Sequence, residues 1–572
     1  FFFFLSGQIL PGATVFVTSR PTANNVSSKL HFDRKVEIIG FTEEKIKKYI
    51  EKFCVNHQKT ELKPKIWNHI KSSEIMNLCY IPVNCFIVCV ILLDCLNDQS
   101  NDNALPTTLT ELYQAALVYF CQYHNRNKTK KSYEKVIKKL RRLAFNAMHN
   151  DQLIFDGTDI DEQMKKSGLL HCLPVPIFPI QPQACFIHLT VQEFLAAKHI
   201  VETKKPKEII EFISSHVKHG KWHLVLQFLA GLLGKKMEMS EEYRSCALAF
   251  GEHLHPKVEV EGEDIVYAAL NDELLMKCVR ETENDDIANK IASTCALKGV
   301  TKMHNRFGAN WPSPSDWAAI VFVCKHLNFL KHLSLHLMID FDSVLEITKL
   351  LRHRCIETLQ FSSYVISPVQ EALEHLLGAM TTSECRINHE HCKLTLLNLF
   401  DNDITDDDVT ILTDFLEKTQ GVFLKNLDLS LNEITSDGIS KFCDVLGHES
   451  CNQLEVLDLG RNRNIGDDGL RTLCRALEEK QHKLRELDLE QCSVTSAGTY
   501  WLGQVLANKN CEITHLNISY NSLHDEGVRT LCDGFRKGNG KLEVLDLSYC
   551  LLTSACMPDL SEFLKDEKCR LT

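Results

Sequence analysis

The 572-residue chain has no Gly-x-x-x-x-Gly-Lys-[Ser/Thr] run, the loop whose amides and lysine cradle nucleotide phosphates. Gly231-Leu-Leu-Gly234-Lys235-Lys236 places two residues between its glycines and a lysine where the hydroxyl should stand, and Gly538-Asn-Gly540-Lys541-Leu542 fails similarly. Nor does an acidic, magnesium-positioning strand precede Leu10. A chain without these parts is not expected to hydrolyse ATP. His-Glu-x-x-His and Gly-x-Ser-x-Gly are missing too, which removes the usual signatures of a zinc protease and of a serine hydrolase. Basic charge is scarce: 64 Lys and Arg face 75 Asp and Glu, for a net charge of −11 and a pI near 6.2. General nucleic-acid binding needs the opposite balance. The best membrane candidate, Ile81 to Leu96, is interrupted by Pro82, Asn84 and Asp94. It falls short of the ~20 apolar residues of a span and reads as a buried helix. Low-complexity tracts, Gly/Ser linkers and a secretory basic–apolar leader are likewise missing. Packed domains in a reducing, cytoplasmic compartment are therefore expected.

What the chain does contain is cysteine, 24 of them. Cys443, Cys474 and Cys532 fall at apolar helix positions, where a thiol acts as a small hydrophobe. The cluster Cys385-x-x-x-His389-x-His391-Cys392 has zinc-type ligands at a spacing that matches no usual site, so no metal is expected. The hydrophobic fraction of 44% suits globular cores, and the length suggests three or four domains.

The strongest pattern is a repeat. Leu394-x-x-Leu397-x-Leu399-x-x-Asn402 recurs from Leu424, Leu454, Leu484, Ile513 and Leu542, closing on Asn432, Asn462, Cys492, Asn521 and Cys550. In such leucine-rich repeats each unit is a strand plus a return segment that buries its apolar face only against its neighbours. The closing Asn or Cys stands where the chain leaves the strand and can bond backbone groups that the turn leaves unpaired. Apolar residues at i, i+3, i+4 and i+7, such as Leu470, Leu473, Cys474 and Leu477, then predict a helix. This is the ribonuclease-inhibitor-like subtype. Weaker strands are expected at Leu330/Leu333/Leu335 and Ile356/Leu359/Phe361, so a solenoid of about eight units is placed at 320–572. The central outward strand positions are Asn398, Asp428, Asp458, Asp488, Asn517 and Asp546, followed by the more individual Arg461, Gln491, Tyr520 and Tyr549. Together they form the expected partner-binding face. The acids either select a basic partner or are simply the residue this slot of the repeat favours.

The chain opens without Met on Phe1-Phe-Phe-Phe-Leu-Ser6, and Thr14–Thr18 between Pro11-Gly12 and Pro21 reads as a buried strand ending at Arg20. One strand makes no sheet, so its neighbours are expected upstream. Thr190-Val-Gln-Glu193 reads as a capping box opening an apolar helix, which puts His188 just before a helix N-terminus, an end that favours anions. Pro82 suits the first position of a helix.

Five segments in order carry a resemblance. "LPGATVFVTSRP" from Leu10 resembles the sensor strand of a NACHT nucleotide switch. "CYIPVNCFIV" from Cys79 is similar to the first helical domain, and "LPTTLTELYQ" from Leu105 to the entry into the winged helix. "FIHLTVQEFLAA" from Phe186 resembles that domain's signature, and "WHLVLQFLAGLLG" from Trp222 the second helical domain. With the repeats, the chain resembles the NACHT and leucine-rich-repeat (NLR) receptors, closest to their teleost-type group and N-terminally truncated. The resemblance implies an α/β and α multidomain fold: the end of the nucleotide-binding domain at 1–21, helical domain 22–104, winged helix 105–200, second helical domain 201–319, then repeats. It implies that Arg20, Pro82 and His188 contact ADP or ATP in a full-length parent, Pro82 at the adenine and His188 at the phosphates. This chain alone is not expected to hold the nucleotide tightly. The implied function is innate-immune sensing, with a protein partner on the repeats and self-association through the NACHT module. The alternative is a repeat scaffold without a switch.

Overall fold

The computed structural model describes residues 40–72, 75–97, 106–124, 130–173, 183–254, 258–261, 265–269, 273–294, 302–304, 314–327, 330–335, 341–361, 369–382, 385, 393–419, 422–480, 482–538, 541–567 and 569–571. Arg20 and the expected strand at Thr14–Thr18 lie outside them, as do His389, His391 and Cys392. The chain divides into two compact units, one built from 1–256, 272–298 and 312–326, the other from 257–271, 299–311 and 327–572.

The first unit is largely helical. Helix α1 is Pro82–Asn97, α2 Leu109–His124, α3 Lys130–His149, α4 Leu189–Thr203, α5 Pro206–His216, α6 His223–Met237 and α7 Glu273–Glu281. Helix α4 packs between α3 and α6, and residues on nearly every side of it are buried, from Val191 to Ala197. A small antiparallel sheet precedes α4: β1 (Phe155–Asp156), β2 (Leu170–Cys172) and β3 (Gln183–Phe186), in the order β1-β3-β2. The stretch expected as a buried helix is α1, although Ile81 before it and Phe86 within it are about half exposed. Among the described residues, no helix is long and apolar enough to cross a membrane.

Helix contacts explain the nucleotide-loop near miss. Gly231 and Gly234 lie inside α6, where a Cβ on Gly231 would stand 2.2 Å from Thr110 Oγ1 and one on Gly234 2.5 Å from the Thr282 carbonyl. The glycines let α6 approach its neighbours. The start of α2 is tied down by the buried Glu281 of α7, whose carboxylate accepts from the Thr110 amide (2.9 Å), the Leu109 amide (3.2 Å) and Gln227 Nε2 (3.2 Å). A carboxylate satisfies the unpaired amides of a helix's first turn. Burial raises the Glu281 carboxyl above its ordinary value, against the lowering effect of those hydrogen bonds.

Among the described residues, the second unit forms an eleven-stranded sheet whose strands lie side by side in chain order. They are β4 (Val258–Glu261), β5 (Ile265–Ala269), β6 (Lys302–His304), β7 (His332–Leu335), β8 (Thr358–Phe361), β9 (Leu394–Asn398), β10 (Val422–Asp428), β11 (Val456–Asp458), β12 (Glu486–Asp488), β13 (His515–Asn517) and β14 (Val544–Asp546). All pairings are parallel except the β4–β5 hairpin. Each repeat returns through a helix: α8 Asp406–Lys418, α9 Ser436–Val445, α10 Gly466–Glu479, α11 Ser496–Ala507 and α12 His524–Lys537, neighbour packed on neighbour. The two weak repeats are strands β7 and β8. Strands β4 to β6 add an extension ahead of residue 320, in a stretch with no leucine periodicity to announce it. Leu397, Leu427, Leu457, Leu487 and Leu516 are in register and at most 2% exposed.

Asparagine closes four of the six turns, at 402, 432, 462 and 521, against a neighbouring repeat. Asn432 Oδ1 accepts from the Asn402 and Ile404 amides (2.9 and 3.0 Å), and its Nδ2 donates to the Leu399 and Leu429 carbonyls (3.0 and 2.9 Å). Asn462 and Asn521 repeat the arrangement. A second set of links joins the helix starts. The Asp406 carboxylate accepts from the amide and hydroxyl of Thr435 in the next repeat (2.9 and 2.6 Å), as Asp467 does from Thr495 and Asp525 from Thr553.

Candidate functional site

Two of the expected nucleotide residues lie in the first unit, His188 on the wall of a cavity and Pro82 next in sequence to Val83 of that wall. Pro82 is exposed at the first position of α1, where its missing amide costs the helix nothing. His188 is the N-cap of α4: its Nδ1 accepts from the Thr190 amide (3.3 Å) and lies 2.7 Å from Thr190 Oγ1. This corrects the expected capping box. The helix starts at Leu189, so Thr190 is already inside it, and Glu193 is a buried mid-helix residue. Because Nδ1 accepts an N–H, the neutral ring carries its proton on Nε2.

The imidazole belongs to a short polar chain. Thr190 Oγ1 hydrogen-bonds to the Tyr113 hydroxyl of α2, which donates to Asn84 Oδ1 of α1 at 3.2 Å. The relay links the α4 cap to the first turn of α1. Burial pushes the Tyr113 phenol up to about 12, so it stays a neutral donor. Its ring packs against Phe194 and Phe228, with centroids 5.8 and 5.2 Å away. Beside the relay lies a cavity of about 190 Å³ walled by α1, α2 and α4, with Val83, Phe86, Ile87, Leu117, Ile187 and His188 among its lining residues. Tyr113 and Asn84 are not marked as site residues by the sequence, because each sits in an apolar helical stretch where one polar residue reads as packing, and Thr190 enters there only as a helix cap.

In the second unit the predicted face is a set of straight columns. Asp428, Asp458, Asp488, Asn517 and Asp546 pair in register across β10 to β14, so neighbours stand about 4.8 Å apart. Each uses Oδ1 to accept the amide two residues on: Ser430 for Asp428 (3.0 Å), Gly460 for Asp458 (2.9 Å), Glu490 for Asp488 (2.8 Å), Ser519 for Asn517 (3.0 Å) and Ser548 for Asp546 (2.8 Å). Asn398 does the same for Phe400. The slot's preference for Asp and Asn is therefore structural: an acceptor must close the strand. Burial, then the charge of Asp488, pushes the Asp458 carboxyl up to about 7, and burial raises Asp488 as well. A Cβ on Gly460 would stand 3.0 Å from Asp488 Oδ1 and 3.2 Å from Asp458 Oδ1; glycine makes room for both.

One turn further on, Asp401, Leu431, Arg461, Gln491, Tyr520 and Tyr549 all adopt left-handed backbone, with φ between 52° and 63°. Each of the first five donates its amide to a carbonyl of the next repeat, at 2.5–3.1 Å. That bond holds a conformation costing a non-glycine residue about 1–2 kcal/mol. The Tyr520 and Tyr549 rings stack with centroids 4.3 Å apart and planes at 17°. They are 48% and 73% exposed. Arg461 pairs with Glu490 at 3.2 Å.

As for the cysteine–histidine cluster, Cys385 is buried and its thiol donates to the Leu351 carbonyl. Among the described residues, no group of three His, Cys, Asp or Glu is placed to hold a metal.

Comparison with known proteins agrees with the repeat pattern and widens it. The leucine-rich-repeat family model matches residues 390–410, 422–443, 450–474 and 509–532. "NACHT, LRR and PYD domains-containing protein 3" of Bos taurus is 24% identical over 97% of this chain and 61% of its own length, and that of Rattus norvegicus 26% over 98% and 55%. "NACHT, LRR and PYD domains-containing protein 12" of Homo sapiens is 23% identical over 98% of this chain and 57% of its own. The chain thus spans about three fifths of the length of the curated relatives it matches. A yeast Rad7–Elc1 crystal structure is matched over 62% of this chain and 96% of that one, with TM-score 0.31 and 16% identity. Along almost its whole length, the chain is a homologue of the NACHT and leucine-rich-repeat proteins.

Proposed function

We infer that this chain is the switch-and-repeat portion of an NLR-type innate-immune sensor or regulator. Its repeats form a solenoid that binds a protein partner, and its helical unit answers to ADP or ATP. The observation that carries this reading is His188: it caps α4 beside a cavity whose other wall begins one residue after Pro82. An imidazole at this position can donate to a phosphate oxygen, at a helix end that itself attracts anions. Pro82 would lie against the base, with Arg20 a further cation. When bound, the nucleotide would supply charge and packing that hold α1, α2 and α4 together. This chain's own contribution is to bind and orient it. We assign no hydrolysis to these residues.

The working division is that of the resemblance, with a helical domain, a winged helix and a second helical domain before the repeats, in a cytoplasmic protein. A partner shifts such a switch only to the extent that it prefers the open form. Moving a population from 1:99 to 99:1 takes a preference of about 10⁴-fold.

The test uses a longer form that also carries a phosphate-cradling loop. Wild type should retain ADP through purification, measured by chromatography of the denatured supernatant. His188→Ala should lower retention and raise self-association, measured by light scattering. If both readouts match wild type, the switch reading fails.

A further inference from the structure

The outward column of the sheet performs a structural task that needs no charge. Asn398 and Asn517 accept the amide two residues on just as the aspartates do. Asparagine would serve at every position, yet four of the six are Asp. Turn closure therefore accounts for the acceptor oxygen and leaves the charge unexplained.

That charge is concentrated. On β11 to β14 and the turns after them, the five acids Asp458, Glu486, Asp488, Glu490 and Asp546 stand against the two guanidinium groups of Arg461 and Arg463, the first of which is itself paired with Glu490. Asp458 and Asp488 crowd the same space over Gly460. Carboxylates on neighbouring strands about 5 Å apart, such as Asp458 and Asp488, repel each other when ionised, and their charge becomes favourable when a cation is brought to it. At the same end the stacked tyrosines and the exposed Val544 and Leu551 give an apolar margin. Arginine suits both parts, since its planar fork meets carboxylates bidentately and stacks on aromatic faces.

We propose that the β11–β14 face docks an arginine-bearing segment of a protein partner, with guanidinium groups on Asp458, Asp488 and Asp546 and the stems across Tyr520 and Tyr549. This rests on the reading that the repeats bind a protein, and it specifies the partner's chemistry. A protonated column has less to offer a cation, so binding weakens as pH falls below about 7, the value near which Asp458 takes up its proton. Salt weakens it as well.

The test measures fluorescence anisotropy of the full chain with three synthetic peptides on one neutral Gly/Ser/Leu frame, carrying paired arginines, paired lysines or paired glutamates. The arginine peptide should bind best and the glutamate peptide at least about tenfold more weakly. The triple variant Asp458→Asn, Asp488→Asn and Asp546→Asn keeps every turn acceptor. It should lose about tenfold for the arginine peptide without a lower thermal midpoint. Tyr549→Ala should reduce the arginine peptide's binding more than the lysine peptide's. Equal binding of arginine and glutamate peptides overturns the proposal, as does full affinity in the triple variant or no arginine binding up to about 1 mM. Tyr549-dependent binding of the glutamate peptide would overturn it too, while leaving the broader partner reading intact.

Discussion

Replacing Asp458 with Asn isolates the energetic burden of the outward column. The substitution keeps the oxygen that accepts the Gly460 amide and removes the charge beside Asp488. A carboxyl held near 7, against an ordinary 3.8, corresponds at full weight to about 4 kcal/mol. Asp458 keeps part of its contact with water, so about 1–2 kcal/mol is the expected gain on mutation. The folded-state value is raised, so protonation favours the native state. The stability from this site is complete below the unfolded value near 4 and is lost as pH rises through about 7. Asp458→Asn should therefore raise the thermal midpoint of the repeat unit by about 3–6 °C at pH 8. The gain should fall below half of that at pH 5. Circular dichroism melts at both pH values suffice. A variant no more stable than wild type at pH 8, or one whose advantage grows on acidification, would refute the reasoning.

Asn462→Ala should lower stability by about 2–4 kcal/mol in urea denaturation, because it strands the Ile434 amide and the Leu429 and Leu459 carbonyls in a dry turn; a loss under ~0.5 kcal/mol would contradict the turn's role. The first unit should respond to acid in the opposite sense to Asp458. His149, His199 and His216 gather around Phe145 and Trp222, and each is lowered, first by burial and then by neighbouring charged groups including Lys204, Lys221 and Arg141. Lowered histidines give stability that is complete above 6.5 and lost as pH falls below it. The helical unit's calorimetric transition should drop between pH 7.5 and 5.5, and His216→Phe should flatten that drop.

Legibility followed periodicity. Leu397, Leu427, Leu457, Leu487 and Leu516 could be placed in one row from sequence because a strand offers two faces and the repeat fixes which is buried. The role of Asn432 was readable for a similar reason, since a polar residue recurring at a turn needs backbone partners. The Asp406–Thr435 link was not, because it joins the start of one helix to the cap of the next across repeats. Its trace is the recurring Thr-Ser-x-Gly of 435–438 and 495–498, where Cβ atoms on Gly438 and Gly498 would come within 2.3 Å of Asp406 and Asp467. At the candidate nucleotide site, His188 was found by its place before a helix. Its cap function was hidden because Thr190 and Glu193 fit a capping box two residues too late, and an imidazole is an uncommon cap. Tyr113 and Asn84 depend on how α1, α2 and α4 pack, which no local pattern encodes.

The junction between the first two clear repeats carries both kinds of link, Asn432 on the strand edge and Thr435 on the helix edge, but from Asn462 onward the two take turns. Asn462 joins its repeat to the one before it, while the helix cap there is Ile465; Thr495 then makes the next junction, where the turn residue is Cys492, a weaker hydrogen-bonding group. Asn521 follows, with Leu523 at the cap, and Thr553 follows that, with Cys550 in the turn. Stitches therefore fall alternately on the strand edge and the helix edge. The smallest piece that can be removed or duplicated without placing two like seams together is a pair of repeats. Within that stretch the array lengthens in double steps, and the gain or loss of a single unit would set two like seams side by side.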